Sequence, residues 1–424
     1  MQVRDSEFSR ELRQYWPVLA LAFLCFLFAF SAPAFALPFL FPPVMEEFGW
    51  TREQVTLLAS AKYATGAVFA IVVGRFIDVI GVRAALLVIS ALGGLALVSF
   101  LWTPNLAVYY LSGVLLGIAA PGTMVAVKVL ISRSFHASQG TAMAVAMLGA
   151  SVGSMLVPIV FSALIGSYGW RMASALLSLG IWFVAMPLLF FGTRDPSYRA
   201  SLARSETRAL AAEARSATLG VLIGRPEFWL IGIAVLLAGF VDQAFIQHQV
   251  LYLDIDLGME AAAVAAGVSA IGAVGIVGRI VVGGVFDRWS ARGVSAMYVL
   301  LSGSCLVALA AFNPWAFAAF VVLRAVGHSA VMLDTTVLTK HTFGLANIGV
   351  LLGVYTAMVN VGFALGPWVV ARMYDASGSY TGAFLLCALL ALVAGAILLP
   401  LRPSYWLRMR EIQGTSGAGT RVQG

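Results

Sequence analysis

The sequence is poor in charge. Only 11% of its 424 residues are Asp, Glu, Lys or Arg, whereas 61% are hydrophobic, and an ordinary soluble domain carries about 25% charged residues. A soluble chain of this length would need polar surface for roughly two or three domains, and too little is available. The composition therefore predicts an integral membrane protein.

The sequence also lacks the residue clusters that metal sites and most enzymes need. Its three cysteines, Cys25, Cys305 and Cys387, are dispersed among apolar runs, which argues against a disulfide framework. It has no His/Cys spacing typical of a metal site, and no Gly-rich loop followed by the Lys and Ser/Thr that hold phosphates. We therefore expect neither an enzyme nor a cofactor.

Basic residues are in excess, with a formal net charge of +7, but they lie between apolar runs rather than in one patch. This distribution argues against a nucleic-acid partner and is typical of membrane topology. Basic loops, such as those at Arg83, Arg133 and Lys340, are predicted to be cytoplasmic together with both termini. Arg52 and Arg171 are exceptions on the opposite side. We expect a multi-pass protein of the cell membrane, in a bacterium the inner membrane.

Apolar segments long enough to cross a bilayer core of about 30 Å recur along the whole chain. Six precede a polar interval and six follow it, which predicts an all-α membrane protein with twelve transmembrane helices in two six-helix bundles. The predicted spans are 17–45, 52–76, 83–101, 106–131, 139–166, 171–191, 228–253, 262–286, 294–312, 315–339, 347–374 and 380–401. The corresponding domains are an N-terminal bundle (1–192), a cytoplasmic Arg-rich linker (193–227), a C-terminal bundle (228–403) and a cytoplasmic tail (404–424).

The two halves of the chain share a register. An offset of 209 residues takes Gly74 to Gly283 and Asp78 to Asp287. The same offset pairs Gly49 with Gly258, Gly140 with Gly349, Gly153 with Gly362, Pro158 with Pro367 and Gly169 with Gly378. Because each unit has an even number of spans, both halves would enter the membrane from the same face. Parallel repeats of this kind can rock around a central cavity.

Three intramembrane charges have no counterpart under this offset, because Asp242, Arg279 and Arg324 are paired with Pro33, Ala70 and Leu115. Arg279 lies eight residues before Asp287, so it is roughly 12 Å from the helix end and near the middle of the bilayer. Charge at that depth indicates a ligand pathway or an ion partner. Since a guanidinium is a forked donor that suits a carboxylate, Arg279 is the main candidate for binding an organic anion. A buried ion pair is the alternative.

Three further residues of the second half are candidates for the same site. Asp242 is interpreted either as a structural partner of Arg279 or as the proton acceptor that couples transport to a gradient. Arg324 and His328 are four residues apart, so they share one face of the tenth span and are predicted to line the cavity. For His328 the alternative is a packed, hydrogen-bonded histidine.

Polar residues of two other spans complete the candidates. Tyr355 and Asn360, in the eleventh span, are predicted to contact the substrate, and for Asn360 hydrogen bonding between helices is the alternative. Lys62, in the second span, is predicted to lie near the outer mouth, as a vestibule or snorkelling lysine.

Residues 74–83, Gly-Arg-Phe-Ile-Asp-Val-Ile-Gly-Val-Arg, resemble the signature between spans 2 and 3 of the major facilitator superfamily. Residues 283–288 are similar to the form of this signature that recurs in the second half of such proteins. The resemblance covers the whole chain and implies a transporter that works by alternating access. It also implies a conformational, gating role for both stretches. The residues concerned are Gly74, Asp78, Arg83, Gly283, Asp287 and Arg288.

Within the superfamily, residues 48–52, 134–140 and 169–171 are similar to the monocarboxylate porter and oxalate:formate antiporter group. In that group an arginine of span 8, eight residues before the loop acid, binds the substrate carboxylate, and Arg279 has this spacing. The chain departs from the pattern in three ways. Gly275 occupies the position where animal monocarboxylate porters have an acid, and span 1 lacks the lysine that those porters have. Span 11 lacks the second cation that the oxalate antiporters have. The resemblance implies an anion carrier and disfavours a dianion held by two cations.

We therefore predict a secondary transporter that moves a small organic anion, in the simplest case a monocarboxylate, together with a proton. Its partners would be the anion, the proton and membrane lipid, and it would function as a monomer. Two alternatives stay open. One is an exporter of amphipathic or neutral compounds, and the other is a non-transporting membrane receptor or scaffold.

Overall fold

The computed structural model describes residues 2–135, 139–192, 222–344 and 348–401, and its regular elements in these ranges are all helices. Most of the predicted linker (193–221) and the predicted tail (404–424) lie outside the described residues. The α-helices are α1 (Gln2–Leu24), α2 (Ser31–Phe35), α3 (Leu37–Phe48), α4 (Arg52–Ile80), α5 (Val82–Ser99), α6 (Leu106–Ser134), α7 (Gln139–Leu179), α8 (Met186–Gly192), α9 (Pro226–Leu251), α10 (Ala261–Ala308), α11 (Pro314–Phe343), α12 (Ile348–Ser377) and α13 (Thr381–Leu398). Short π-helices occupy Cys25–Phe30, Gly180–Ala185 and Tyr252–Asp256, and a 3-10 turn occupies Phe100–Trp102.

Within the described ranges, nine helical segments are long and apolar enough to cross a membrane, or ten when the two parts of α4 are taken as one span. Two of the nine, Thr141–Phe191 and Ala261–Ala308, would extend roughly 70 Å or more, over twice the thickness of the hydrocarbon core. Each is interrupted near its middle, at Gly169 (φ 75°) and at Ser290 (φ 50°). These interruptions fall where the sequence predicts loops. The all-helical, multi-pass class predicted from the sequence is confirmed.

Short local signals start several of these helices. The Thr51 side chain accepts a hydrogen bond from the Gln54 amide, and the Gln54 side chain accepts one from the Thr51 amide, which makes a capping box at α4. The side chains of Asn105 and Asn313 accept from first-turn amides of α6 and α11. These caps satisfy amides that a first turn leaves without an intrahelical partner.

Glycines paired by the 209-residue offset have the same backbone conformation. Gly49 and Gly258 have φ of 66° and 62°, and Gly169 and Gly378 have φ of 75° and 68°. Positive φ is costly for a residue with a Cβ, so glycine is the usual residue there. The repeat seen in the sequence therefore extends to the turns that reverse the chain.

We expect Gly169→Ala to lower the free energy of unfolding by about 1–3 kcal/mol, because φ and ψ of 75° and 160° lie in a region that is essentially restricted to glycine. A Cβ at this position meets no atom within 4 Å, so the cost would come from the backbone alone. Gly166→Ala is the matched control. Its Cβ also meets no atom within 4 Å, but its backbone is helical, so alanine should be neutral or stabilising. Thermal unfolding of the purified protein compares the two, and equal melting temperatures would contradict the expectation.

The first half of the described chain (2–192) contacts the second (222–401) along three helix pairs, α4 with α12, α7 with α10, and α3 with α9. We call the end of the molecule at which α4 begins the Arg52 end, and the end at which it finishes the Asp78 end. Toward the Arg52 end, Phe41 and Val55 of the first half belong to one buried cluster with Val250 of the second. Toward the Asp78 end, the first half has a separate cluster of its own. The halves are therefore packed together most closely at the Arg52 end.

Candidate functional site

Arg52 joins the two halves at the Arg52 end. Its side chain is 4% exposed, and Nη1 donates to Asp256 Oδ2 over 2.6 Å. The guanidinium carbon lies 3.6 Å from the ring centroid of Tyr374, and the Tyr374 hydroxyl donates to Asp256 Oδ1 over 2.7 Å. This exception to the predicted charge pattern is thus neutralised by a carboxylate from the other half.

Glu53 extends the same junction. The Trp368 indole N–H donates to Glu53 Oε1 over 2.8 Å, and Arg372 Nη1 lies 3.5 Å from the same oxygen. Asp375 accepts from the backbone amides of Arg52 and Glu53 over 3.3 and 2.9 Å, so a carboxylate from the second half caps the N-terminus of α4. We call these residues the Arg52 network, namely Arg52, Glu53, Asp256, Trp368, Arg372, Tyr374 and Asp375.

Arg171, the other exception to the predicted topology, is also paired. Its Nη1 donates to the Glu47 carboxylate, and Nη2 donates to the Thr103 carbonyl over 3.2 Å. Both partners belong to the first half, so this pair stabilises one half rather than joining the two.

The gating residues predicted in the first half lie at the Asp78 end, roughly 40 Å along α4 from Arg52. Arg133 Nη2 donates to Asp78 Oδ1 over 3.2 Å, and Arg83 Nη2 donates to the Phe190 carbonyl. These contacts stay within the first half.

The gating residues predicted in the second half border open space. Asp287 and Arg288 line a wide depression of about 690 Å³. A Cβ on Gly283, or on its counterpart Gly74, would meet no atom within 4 Å. Neither glycine is needed for a close helix contact in this conformation, which agrees with halves that lie apart at the Asp78 end. The gating role of all six residues stays a prediction.

A small cavity of about 40 Å³ lies between the halves. Phe35 and Ser154 line it from the first half, and the other nine of its eleven lining residues come from the second half. An apolar cavity that holds one benzene ring measures about 150 Å³. An organic anion would therefore need the halves to move apart from this arrangement.

Arg279 lines this cavity from α10 and reaches the first half. Its Nη1 donates to Ser151 Oγ over 2.5 Å. The two helices lie close together at this level, since a Cβ on Gly272 would be 2.9 Å from Ser154. Among the described residues, no carboxylate lies within ion-pair distance of Arg279.

Asp242 has two cationic or potentially cationic neighbours, both on α11. Arg324 Nη2 donates to Asp242 Oδ1 over 2.7 Å and to the Asp242 carbonyl over 2.8 Å. His328 Nδ1 lies 3.0 and 3.1 Å from the two carboxylate oxygens. Asp242 and Arg324 are 0% and 1% exposed, whereas His328 is 18% exposed, and both Arg324 and His328 line the cavity. We call these three residues the Asp242 cluster.

The cluster separates the roles of the two arginines. Arg324 is compensated by a buried carboxylate, an arrangement whose disruption leaves an uncompensated charge. Arg279 has a hydroxyl as its partner instead. The structure therefore gives Asp242 partners other than Arg279, and it leaves Arg279 as the cavity cation without a carboxylate among the described residues.

Tyr355 and Asn360 do not line the cavity. The Tyr355 hydroxyl donates to the Phe228 carbonyl over 3.2 Å, which fixes α12 to α9. Asn360 Nδ2 donates to the Thr356 carbonyl over 2.9 Å, a bond within its own helix rather than between helices. Their contact with substrate stays a prediction.

Lys62 is placed differently from the sequence prediction. It is 2% exposed, and its Nζ donates to the Pro33 carbonyl over 3.1 Å. A snorkelling lysine would extend along apolar surface toward water, whereas this side chain points into the first half and lies 4.9 Å from the Tyr63 ring centroid. The snorkelling interpretation is wrong, because a carbonyl of span 1 supplies a buried acceptor.

Asp334 is a buried acid that the sequence interpretation missed. It is 0% exposed in α11, where the Tyr298 hydroxyl donates to Oδ2 over 2.5 Å and the Thr335 hydroxyl donates to Oδ1 over 2.8 Å. The signal was available, since an acid inside the predicted span 315–339 is as unusual as Arg324.

Helices with apolar surfaces that surround a small charged cavity define a multi-pass membrane protein with a candidate ligand site between its two halves. The Major Facilitator Superfamily matches residues 19–332, and the chain belongs to that family. The superfamily predicted from the sequence is thus confirmed.

Two similar proteins have been identified. An uncharacterized MFS-type transporter of Bacillus subtilis, YcxA, is 26% identical over 384 residues, which cover 87% of this chain and 90% of the relative. A gallate transporter of Pseudomonas putida is 27% identical over 347 residues, which cover 74% of this chain and 75% of the relative. Family and relatives together indicate a transporter of small molecules rather than an enzyme.

Proposed function

We propose that the protein is a secondary active transporter that moves a small organic anion, in the simplest case a monocarboxylate, together with a proton. Arg279 carries this proposal. It is a guanidinium at a cavity between the halves, and no described carboxylate compensates it. Positive charge at that depth is stabilised when an anion binds, and a forked donor matches a carboxylate.

The charge balance of the cavity favours one carboxylate over two. Of the two arginines that line the cavity, Arg324 is compensated by Asp242. A dicarboxylate would bring a second negative charge to a site with one uncompensated cation, which is costly away from water. One relative transports gallate, an organic carboxylate, and this supports an anionic substrate here.

In the proposed architecture, two six-helix bundles move so that the cavity between them opens alternately to the two sides of the membrane. If the two parts of α4 are taken as one span, and Thr141–Phe191 and Ala261–Ala308 are divided at Gly169 and Ser290, twelve spans follow, in bundles 1–192 and 228–403. With the predicted topology, the Asp78 end and both termini face the cytoplasm of a bacterial cell and the Arg52 end faces outward. The conformation is then closed to the outside by the Arg52 network, and one chain forms the whole pathway.

The Asp242 cluster is our candidate for proton coupling. His328 is the member with measurable exposure to the cavity, so a proton can reach it from there and pass to Asp242, 3.0 Å away. Protonation of Asp242 would remove the negative charge that compensates Arg324. Because a buried arginine without a compensating charge is costly, protonation would change the binding site, and this change would couple the proton to the substrate.

Uptake of labelled acids into proteoliposomes under an imposed pH gradient tests the function. We expect accumulation of at least one monocarboxylate, driven by an acidic exterior and abolished by a protonophore. Binding of acids without flux for any of them would favour a receptor. Flux of neutral or amphipathic compounds without flux of acids would favour an exporter of those compounds.

We expect Asp256→Asn to open the Arg52 end. Arg52 loses a buried ion-pair partner, and a loss of about 1.4 kcal/mol changes the ratio of the two conformations tenfold. A Ser154→Cys probe on the cavity wall should then react at least fivefold faster with an impermeant thiol reagent added at the Arg52 side. Asp254→Asn is the matched control, since it removes the same charge from the same segment, and Asp254 has no ion pair among those described. Equal reaction rates in both variants would contradict the role of the network.

A further inference from the structure

Two residues that line the cavity have buried polar atoms, one acceptor and two donors, without hydrogen-bond partners among the described residues. Gln249 is 5% exposed and its Oε1 accepts no hydrogen bond, while Arg324 is 1% exposed and its Nε and Nη1 donate none. Both residues line the cavity. Polar atoms buried in this way are costly unless a partner satisfies them. Because Gln249 and Arg324 both line the cavity, a ligand held there is a candidate partner for these atoms.

The chemistry of these atoms restricts the ligand. An ionised carboxylate only accepts hydrogen bonds, so it can satisfy Arg324 but not Gln249 Oε1. A ketone has the same limitation. An ammonium group would donate to Gln249 but would face Arg324 and Arg279, which repel it. A neutral hydroxyl both donates and accepts, and so can satisfy the acceptor and the donors together.

We infer that the site takes a hydroxylated monocarboxylate, with its carboxylate on Arg279 and a hydroxyl between Gln249 and Arg324. The inference rests on the proposed function, since Arg279 must hold the carboxylate. The hydroxyl oxygen accepts from Arg324, and its proton is donated to Gln249 Oε1. Phe35, Ile246 and Ile271 also line the cavity, so the body of the ligand is compact and apolar.

Gln249 is the specificity-determining residue in this arrangement, because the two polar residues just before it do not line the cavity. Gln247 Nε2 donates to Gln243 Oε1 over 3.3 Å, and its Oε1 has no partner among the described residues. His248 has Nδ1 at 2.8 Å from the Tyr380 hydroxyl and Nε2 at 2.8 Å from the Pro367 carbonyl, so both ring nitrogens are satisfied.

Paired acids that differ by one hydroxyl test the inference. We expect the purified full-length protein to bind 4-hydroxybenzoate at least tenfold more tightly than benzoate, or lactate at least tenfold more tightly than propionate, measured by calorimetry and by competition for uptake. In Gln249→Met, which has a similar side-chain volume and no acceptor oxygen, the preference should fall below threefold while affinity for the unhydroxylated acid is kept. Gln243→Met is the matched control, because Gln243 is buried on the same helix but does not line the cavity, and it should keep the tenfold preference.

The outcomes separate this inference from the proposed function. If the wild-type protein binds both members of each pair equally, the hydroxyl site does not exist, and this comparison needs no variant that folds. If Gln249→Met keeps the tenfold preference, another residue or a bound water hydrogen-bonds to the hydroxyl, and the assignment of Gln249 is overturned. If the wild-type protein binds none of these acids and accumulates no other monocarboxylate under a pH gradient, the carboxylate function itself is wrong.

Discussion

Replacing Arg279 with Ala is expected to lower kcat/KM for carboxylate uptake by a factor of about 30 or more. Removing one partner of a desolvated, hydrogen-bonded charge pair costs about 2–5 kcal/mol, and each 1.4 kcal/mol is about tenfold. The effect should be large because the cavity has no other arginine free of a carboxylate in the part of the chain that the structure describes. Initial rates of labelled acid uptake in proteoliposomes measure it.

Two further variants show which property of Arg279 matters. Arg279→Lys keeps the charge but loses the forked donor, so we expect an intermediate loss. Ser151→Ala removes the hydroxyl 2.5 Å from Arg279 Nη1 and leaves the guanidinium charge in place. We expect a smaller loss of uptake than in Arg279→Ala, about tenfold, as for one hydrogen bond from a charged donor. Carboxylate affinity that is unchanged in folded Arg279→Ala would eliminate this residue as the anion site.

Asp242→Asn is expected to lower the free energy of unfolding by about 3–5 kcal/mol, the usual cost of breaking a buried ion pair by removing one partner. Arg324 is 1% exposed and would be left without its carboxylate. The same variant should fail to accumulate substrate under a pH gradient, because the group that takes the proton is gone. Thermal unfolding and gradient-driven uptake, measured on the same preparation, report the two effects.

A double variant separates stability from coupling. Asp242→Asn combined with Arg324→Met removes both charges, and apolar replacement of a buried pair is often close to neutral, so most of the lost stability should return. Accumulation should not return, whereas exchange of labelled for unlabelled benzoate, which has no hydroxyl to contact Arg324, should persist because Arg279 is intact. Gradient-driven accumulation in Asp242→Asn at the wild-type level would show that the proton is carried elsewhere. Asp334 of α11, the other fully buried acid among the described residues, would be the next residue to test.

The fold was predictable because its signals are local or periodic. Apolar runs of spanning length give the helices, and the offset that pairs Gly49 with Gly258 and Gly169 with Gly378 gives the repeat, which reappears as matched positive φ values. Arg279 could be identified as a candidate for the same reason, because a charged residue inside an apolar run is recognised from the sequence without knowledge of its partner.

The partners within the site were not predictable. Asp242 lies 82 residues from Arg324 and 86 from His328, and Arg52 lies 204 from Asp256. Pairings over such separations depend on how each helix is rotated about its axis, and apolar residues on all sides of a membrane helix leave that rotation open. Lys62 shows the same limit, because its depth could be estimated but its direction could not.

Nine of the eleven residues around the cavity come from the second half, and this has a consequence for how such proteins diversify. The first half contributes Phe35, Ser154 and a surface that closes against the site. Under the proposed function, a change of substrate requires substitutions in three neighbouring helices, α9, α10 and α11, while the opposing surface and the turns that both halves share stay unchanged. If the shared register comes from a duplication, the lack of a counterpart for Asp242, Arg279 and Arg324 marks the half that was adapted to the substrate.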